Sequence, residues 1–130
     1  MAKLLLPYLA VVGVMVVLDL VWLGGLAMPL YKRGIGHLMA AQPNFTAAVL
    51  FYLLFAIGVV FFAVRPAASW QAAAGHGALF GAMAYLTYDL TNMATLRAWP
   101  PGLSVIDVAW GSFAVGLAAA CGRWVADRVA

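Results

Sequence analysis

The chain has 130 residues, 67% of hydrophobic types and only 8% charged, against about 25% charged residues in an ordinary soluble domain. That length suits one domain, residues 1–130. The net charge of +3 comes from seven basic and four acidic side chains that are scattered rather than clustered, which argues against a nucleic-acid footprint, and with no linker and no second composition regime an appended soluble domain is not expected.

The first apolar run, residues 4–28, follows Lys3 and continues past Asp19. It outlasts the roughly 7–15 residue core of a cleaved signal peptide and is read as a membrane-crossing helix, with Pro7 tolerated in its first turn. Residues 29–44 connect it onward and carry Lys32, Arg33 and His37; Tyr31, Ile35, Leu38 and Met39 recur near helical spacing, which predicts a short interfacial helix. A second span, 45–64, is closed by Arg65-Pro66. Its stripe FYLLFAIGVVFF contains no ionisable partner, so it is expected to face lipid or another copy. The third span is 72–92. The fourth, 103–125, follows the break at Trp99-Pro100-Pro101-Gly102. Each run approaches the roughly 20 residues that cross hydrocarbon, so the sequence predicts an all-α, multi-pass integral membrane bundle of four transmembrane helices with both termini on the same side.

Lys3, Arg65, Arg123 and Arg128 fall on the side of the termini, against Lys32, Arg33 and Arg97 opposite, a bias that favours cytoplasmic termini. Trp70, Trp99 and Trp124 near the span ends are predicted interface anchors, and Gly77 with Gly81 predicts a close helix contact. Cys121 sits in an apolar run without a bridging partner and reads as packing. Asn44-Phe45-Thr46 fits a glycosylation acceptor pattern only as a three-residue match.

Three of the four acidic residues, Asp19, Asp89 and Asp107, lie inside predicted spans and, by helix direction, in the same half of the bilayer. A charged aspartate at mid-helix costs about 2.5–3.5 kcal/mol on insertion scales, so all three are expected to face the interior. Tyr85, Asp89 and Asn92 share a helix face at i, i+4, i+7. DLVW and DVAW repeat a D-x-x-W spacing that sets Asp19 near Trp22 and Asp107 near Trp110. The candidate site is therefore Asp19, Tyr85, Asp89, Asn92, Asp107 and Trp110, with Lys32, Arg33, His37 and Arg97 as charge partners. Neighbouring carboxyls in a low dielectric favour keeping a proton. The spacing matches no metal motif, and neither metal nor cofactor is expected. His76 lies at the opposite face, where it could extend a polar path.

Taken together, LDLVWLG (18–24), GHLMAAQPN (36–44), FYLLFAIGVVFFAVRPA (51–67), TYDLTNMATLRAWP (87–100) and DVAWG (107–111) resemble a family of uncharacterised bacterial four-helix inner-membrane proteins classed as a domain of unknown function. The resemblance implies a bacterial cytoplasmic (inner) membrane location and carries no activity. The residues leave catalysis undecided. The expected function is a small transporter or proton-coupled permease using the aspartate cluster, with the lipid bilayer, a small polar solute or a proton as partners and, because four helices are few for a pathway, a homo-oligomer. The alternatives are an intramembrane enzyme acting on a lipid or isoprenoid, or a non-catalytic accessory subunit.

Overall fold

The computed structural model describes residues 2–129. Helix α1, Ala2–Val21, continues as a π-helical turn over Trp22–Leu26; α2 is Met28–Ile35, followed by a 3-10 turn at Gly36–Leu38. Helix α3, Phe45–Val59, also ends in a π-helical turn, Val60–Val64; α4 is Trp70–Thr95 and α5 Pro101–Val129. Three helical stretches are long and apolar enough to cross a membrane: Ala2–Leu26, Phe45–Val64 and Pro101–Val129. Among the described residues there are five α-helices, of which α2 is the short helix expected after the first span. Three of the four expected spans meet that requirement, while α4, at 26 residues, has the length of a span but is not among the three stretches apolar enough to qualify.

Local chemistry explains the boundaries. The Asn44 side chain accepts the Ala47 N–H at 3.1 Å and the Ser69 hydroxyl accepts the Ala72 N–H at 3.1 Å, each satisfying a donor that the first turn of a helix leaves free. Pro101 opens α5, where its missing N–H costs nothing. The π-helical turns are closed by Ala27 N–H to Trp22 C=O at 2.7 Å and Arg65 N–H to Val60 C=O at 2.9 Å.

Small residues hold the bundle together. At Gly77 an added Cβ would lie 2.6 Å from the Ala119 Cβ and 2.7 Å from the Val115 carbonyl, and at Gly81 2.5 Å from the Gly111 carbonyl. The α4 and α5 backbones therefore touch as the glycine spacing predicts. Val11 and Met15 of α1, Ala56 and Val59 of α3, and Val115 and Ala118 of α5 fill the core. Leu20, Phe45, Leu54 and Val105 point outward and are more than three-fifths exposed, a surface suited to lipid rather than water.

Lys3, Arg65 and Arg123 line one pocket, whereas Asp19, Tyr52, Tyr85 and Asp107 line another. Helices α1 and α4 thus run from a basic end to an acidic end, and α3 and α5 return. Both described chain ends lie at the basic end.

Between α4 and α5, Ala98 has φ 58°, a left-handed conformation that costs an L-residue about 1–2 kcal/mol. The turn sends Trp99 inward. It is 7% exposed and donates its indole N–H to the Ser104 hydroxyl at 2.8 Å, which corrects its expected role as an interface anchor; Trp70 and Trp124 are exposed. We expect Ala98→Gly to raise resistance to SDS-induced unfolding in mild detergent by about 0.5–1 kcal/mol, after the added freedom of the unfolded glycine is subtracted. An unchanged or lowered midpoint would show that the Cβ is not strained there.

Candidate functional site

Asp19 occupies the last turn of α1, and Trp22 begins the wider π-helical turn after it. π-helical turns of this kind recur at functional sites. Asp107 and Trp110 lie one turn apart on α5. The two D-x-x-W segments come from antiparallel helices, and their indoles stack, with ring centroids 4.4 Å apart and planes 5° from parallel.

Each indole serves the other segment's carboxylate. Trp110 Nε1 donates directly to Asp19 Oδ1 at 3.1 Å. Trp22 Nε1 donates to the Tyr31 hydroxyl at 3.2 Å, and Tyr31 donates to Asp107 Oδ1 at 2.5 Å. Tyr52 of α3 donates to Asp19 Oδ2 at 2.5 Å. Bonds from neutral donors to a carboxylate offset part of the cost of holding it away from water. Burial and the Asp107 carboxylate push the Tyr31 phenol upward from its ordinary value, so it remains the donor in this pair.

These groups enclose a partly open cavity of about 470 Å³. Its lining includes Asp19 and Asp107, the stacked Trp22 and Trp110, and the phenols of Tyr31, Tyr52, Tyr85 and Tyr88. No lysine, arginine or histidine lines it. Asp89 stands behind this wall, 1% exposed, beside Asp107 and Ser104. Neither of its carboxyl oxygens has a hydrogen-bond donor among the described residues when its neighbour is counted as a carboxylate.

Of the predicted site residues, Asp19, Tyr85, Asp107 and Trp110 line the cavity, and Asp89 backs it. Asn92, one turn beyond Asp89, lies outside the lining. Lys32, Arg33, His37 and Arg97 are exposed, and the one ion pair among the described residues is Arg123 with Asp127, at 2.7 Å. The expected charge partners are therefore not assembled at the site. On α2 the inward face is taken by Tyr31 and Ile35, spaced i, i+4, which leaves Lys32 and Arg33 pointing away. The second span is expected to have no ionisable partner, and the hydrogen bond from Tyr52 to Asp19 overturns that. Tyr31, Tyr52, Tyr88 and Trp22 were absent from the predicted set. A phenol within an apolar run is the signal that could have found Tyr52, since its hydroxyl needs a partner in lipid. Among the described residues no group of three His, Cys, Asp or Glu side chains is arranged to hold a metal ion.

Residues 4–124 match the protein family described as "Predicted membrane protein (DUF2177)". No curated protein and no solved structure matches the chain.

Proposed function

The chain belongs to that family of membrane proteins, and on this premise we propose that it binds a small organic cation in the aromatic and carboxylate chamber and exchanges a proton for it, as a proton-coupled carrier would. The observation that carries this reading is the composition of the cavity wall: two carboxylates, two indoles and four phenols, with no basic side chain. Aromatic faces attract ammonium groups by about 0.5–2 kcal/mol each. A carboxylate supplies the counter-charge, and about 470 Å³ lies within the roughly 300–1,000 Å³ of small-molecule sites.

Proton exchange is supported by the contact of Asp89 with Asp107. Two adjacent buried carboxyls are not both ionised at low cost, so one proton held between them gives Asp89 the hydrogen bond it otherwise lacks. Arrival of a cation allows that proton to leave. Val11, Val59, Val115 and Ala118 are fully buried in the core between this chamber and the basic end, and His76 is exposed rather than on a polar path. Transport in this reading is alternating access rather than an open channel. Helix α4 is then the fourth crossing, and the basic end, with both termini, is assigned to the cytoplasmic side of a bacterial inner membrane. The reading of an enzyme on lipid headgroups needed a cation at the carboxylates, and the wall offers none.

The test is a titration of detergent-purified protein with tetraethylammonium, followed by tryptophan fluorescence. Saturable quenching is expected, since Trp22 and Trp110 form part of the wall, and Asp107→Asn should weaken the apparent affinity at least tenfold, equivalent to about 1.4 kcal/mol. Equal affinity in the variant, or equal binding of an anion of the same size, would remove the cation assignment.

A further inference from the structure

The basic end of the bundle holds a second cavity, unrelated to the aspartate chamber. It measures about 480 Å³ and is lined by Lys3 and Pro7 of α1, Val64 and Arg65 at the end of the second span, and Arg123 with Ala126 of α5. Three helical stretches thus bring three cations to one recess. Asp127 neutralises part of this charge through its 2.7 Å contact with Arg123 Nη2, leaving a formal excess of two positive charges.

Arg123 is also incompletely used. Its Nε is buried and has no hydrogen-bond partner among the described residues, although a guanidinium presents its donors in a fixed fork that matches two oxygens of one anion. A buried donor left unpaired is destabilising, and an anion at the recess would relieve it. The second span ends here, and Arg65, its C-cap residue, offsets the partial negative charge of a helix C-terminus that would otherwise repel an anion.

A third feature identifies the kind of anion. A groove of about 410 Å³ adjoins the recess, sharing Leu4, Val60 and Arg65 with it, and continues along Leu5, Tyr8, Ile57 and Phe61. Apart from the Tyr8 hydroxyl, which is occupied by a 2.8 Å bond to the Leu53 carbonyl, and Arg65 at its head, this groove is apolar. A free phosphate ion would use the recess and leave the groove empty. A phospholipid would use both, with its phosphate among the cations and an acyl chain against α1 and α3.

We infer that the recess formed by Lys3, Arg65 and Arg123 and the groove below it are a binding site for a phospholipid with an anionic headgroup. Basic pockets between membrane helices take such headgroups, each cation near the surface contributing about fivefold in affinity. The site acts on the end of the bundle where α1, α3 and α5 meet, so its occupancy fixes their relative position.

The experiment is native mass spectrometry of the protein in detergent with equimolar phosphatidylglycerol and phosphatidylcholine. Wild type should retain phosphatidylglycerol at least tenfold over phosphatidylcholine. Arg65→Gln, at an exposed position where folding is not at stake, should reduce that preference about fivefold, and Arg65→Gln combined with Lys3→Gln should bring it near unity, with Lys32→Gln and Arg33→Gln at the acidic end leaving it intact. Ile57 lines the groove but not the recess, and Ile57→Asn should weaken retention of phosphatidylglycerol without altering protection by inorganic phosphate in a thermal-unfolding assay. Absence of headgroup preference, equal loss in the acidic-end variants, or protection by inorganic phosphate alone equal to that by phosphatidylglycerol would each overturn the assignment.

Discussion

Gly81→Leu is expected to abolish folding, so that the protein no longer elutes as a single detergent-solubilised species. In lipid the apolar surfaces of two helices gain no hydrophobic free energy by leaving acyl chains for one another, so association depends on close packing. Here the approach is set by glycine: a Cβ at position 81 would sit 2.5 Å from the Gly111 carbonyl and 2.7 Å from the Val115 Cβ, and a backbone carbonyl has no rotamer by which to retreat. Leucine adds three further carbons to that clash. Overpacking of a well-filled core costs about 1–3 kcal/mol even where side chains give way, and the obstacle here is backbone. The same substitution at Gly75, on the same helix but with nothing within 4 Å of an added Cβ, should leave elution and SDS-unfolding unchanged. Comparable loss in both variants would mean that leucine in α4 is harmful for reasons other than the α4–α5 contact.

Gly77 and Gly81 were legible because a four-residue spacing of small side chains has one favourable use between membrane helices. The aspartates were legible for a related reason, since a carboxylate in an apolar run must turn inward wherever its partners are. Their partners were less visible. Tyr31 reaches Asp107 across 76 positions and Tyr52 reaches Asp19 across 33, and no local periodicity encodes how helices cross at such separations. The D-x-x-W repeat was visible as a spacing, yet its meaning is an exchange of donors between antiparallel helices, which requires the α1–α5 contact. Proximity in sequence also misled. Asn92 shares a face with Asp89 but lies beyond the chamber, and Trp99 flanks a span yet is turned inward by the left-handed backbone at Ala98. Lys32 and Arg33 neighbour Tyr31 in the chain and, because helical residues one and two apart point in different directions, face away from the site it joins.

Asp89→Asn is expected to fold normally, to keep its affinity for tetraethylammonium within about threefold, and to release essentially no proton on binding it, whereas wild type releases about one. The argument rests on which atom holds the hydrogen. Asp89 is 1% exposed and neither oxygen meets a fixed donor, while its neighbour Asp107 already accepts from Tyr31. Ser104, also adjacent, accepts the Trp99 indole N–H and keeps its own O–H to turn toward one Asp89 oxygen, which leaves the side facing Asp107 without a donor. A proton on Asp89 converts that side from a bare acceptor into a donor toward Asp107, and asparagine supplies the same donor from a group of the same shape that has no proton to give up. The amide thus preserves packing and Asp107's ligand-facing charge while removing the exchangeable hydrogen. Asp89→Leu separates the two roles: it removes the donor as well, leaves Asp107 with Tyr31 as its remaining partner, and should cost about 1–3 kcal/mol of stability. Proton release is read from a pH indicator in weakly buffered detergent solution, with cation binding followed in parallel by fluorescence. If Asp89→Asn still releases one proton per bound cation, the proton is held at Asp19 or Asp107 themselves and the Asp89–Asp107 pair has no part in the exchange.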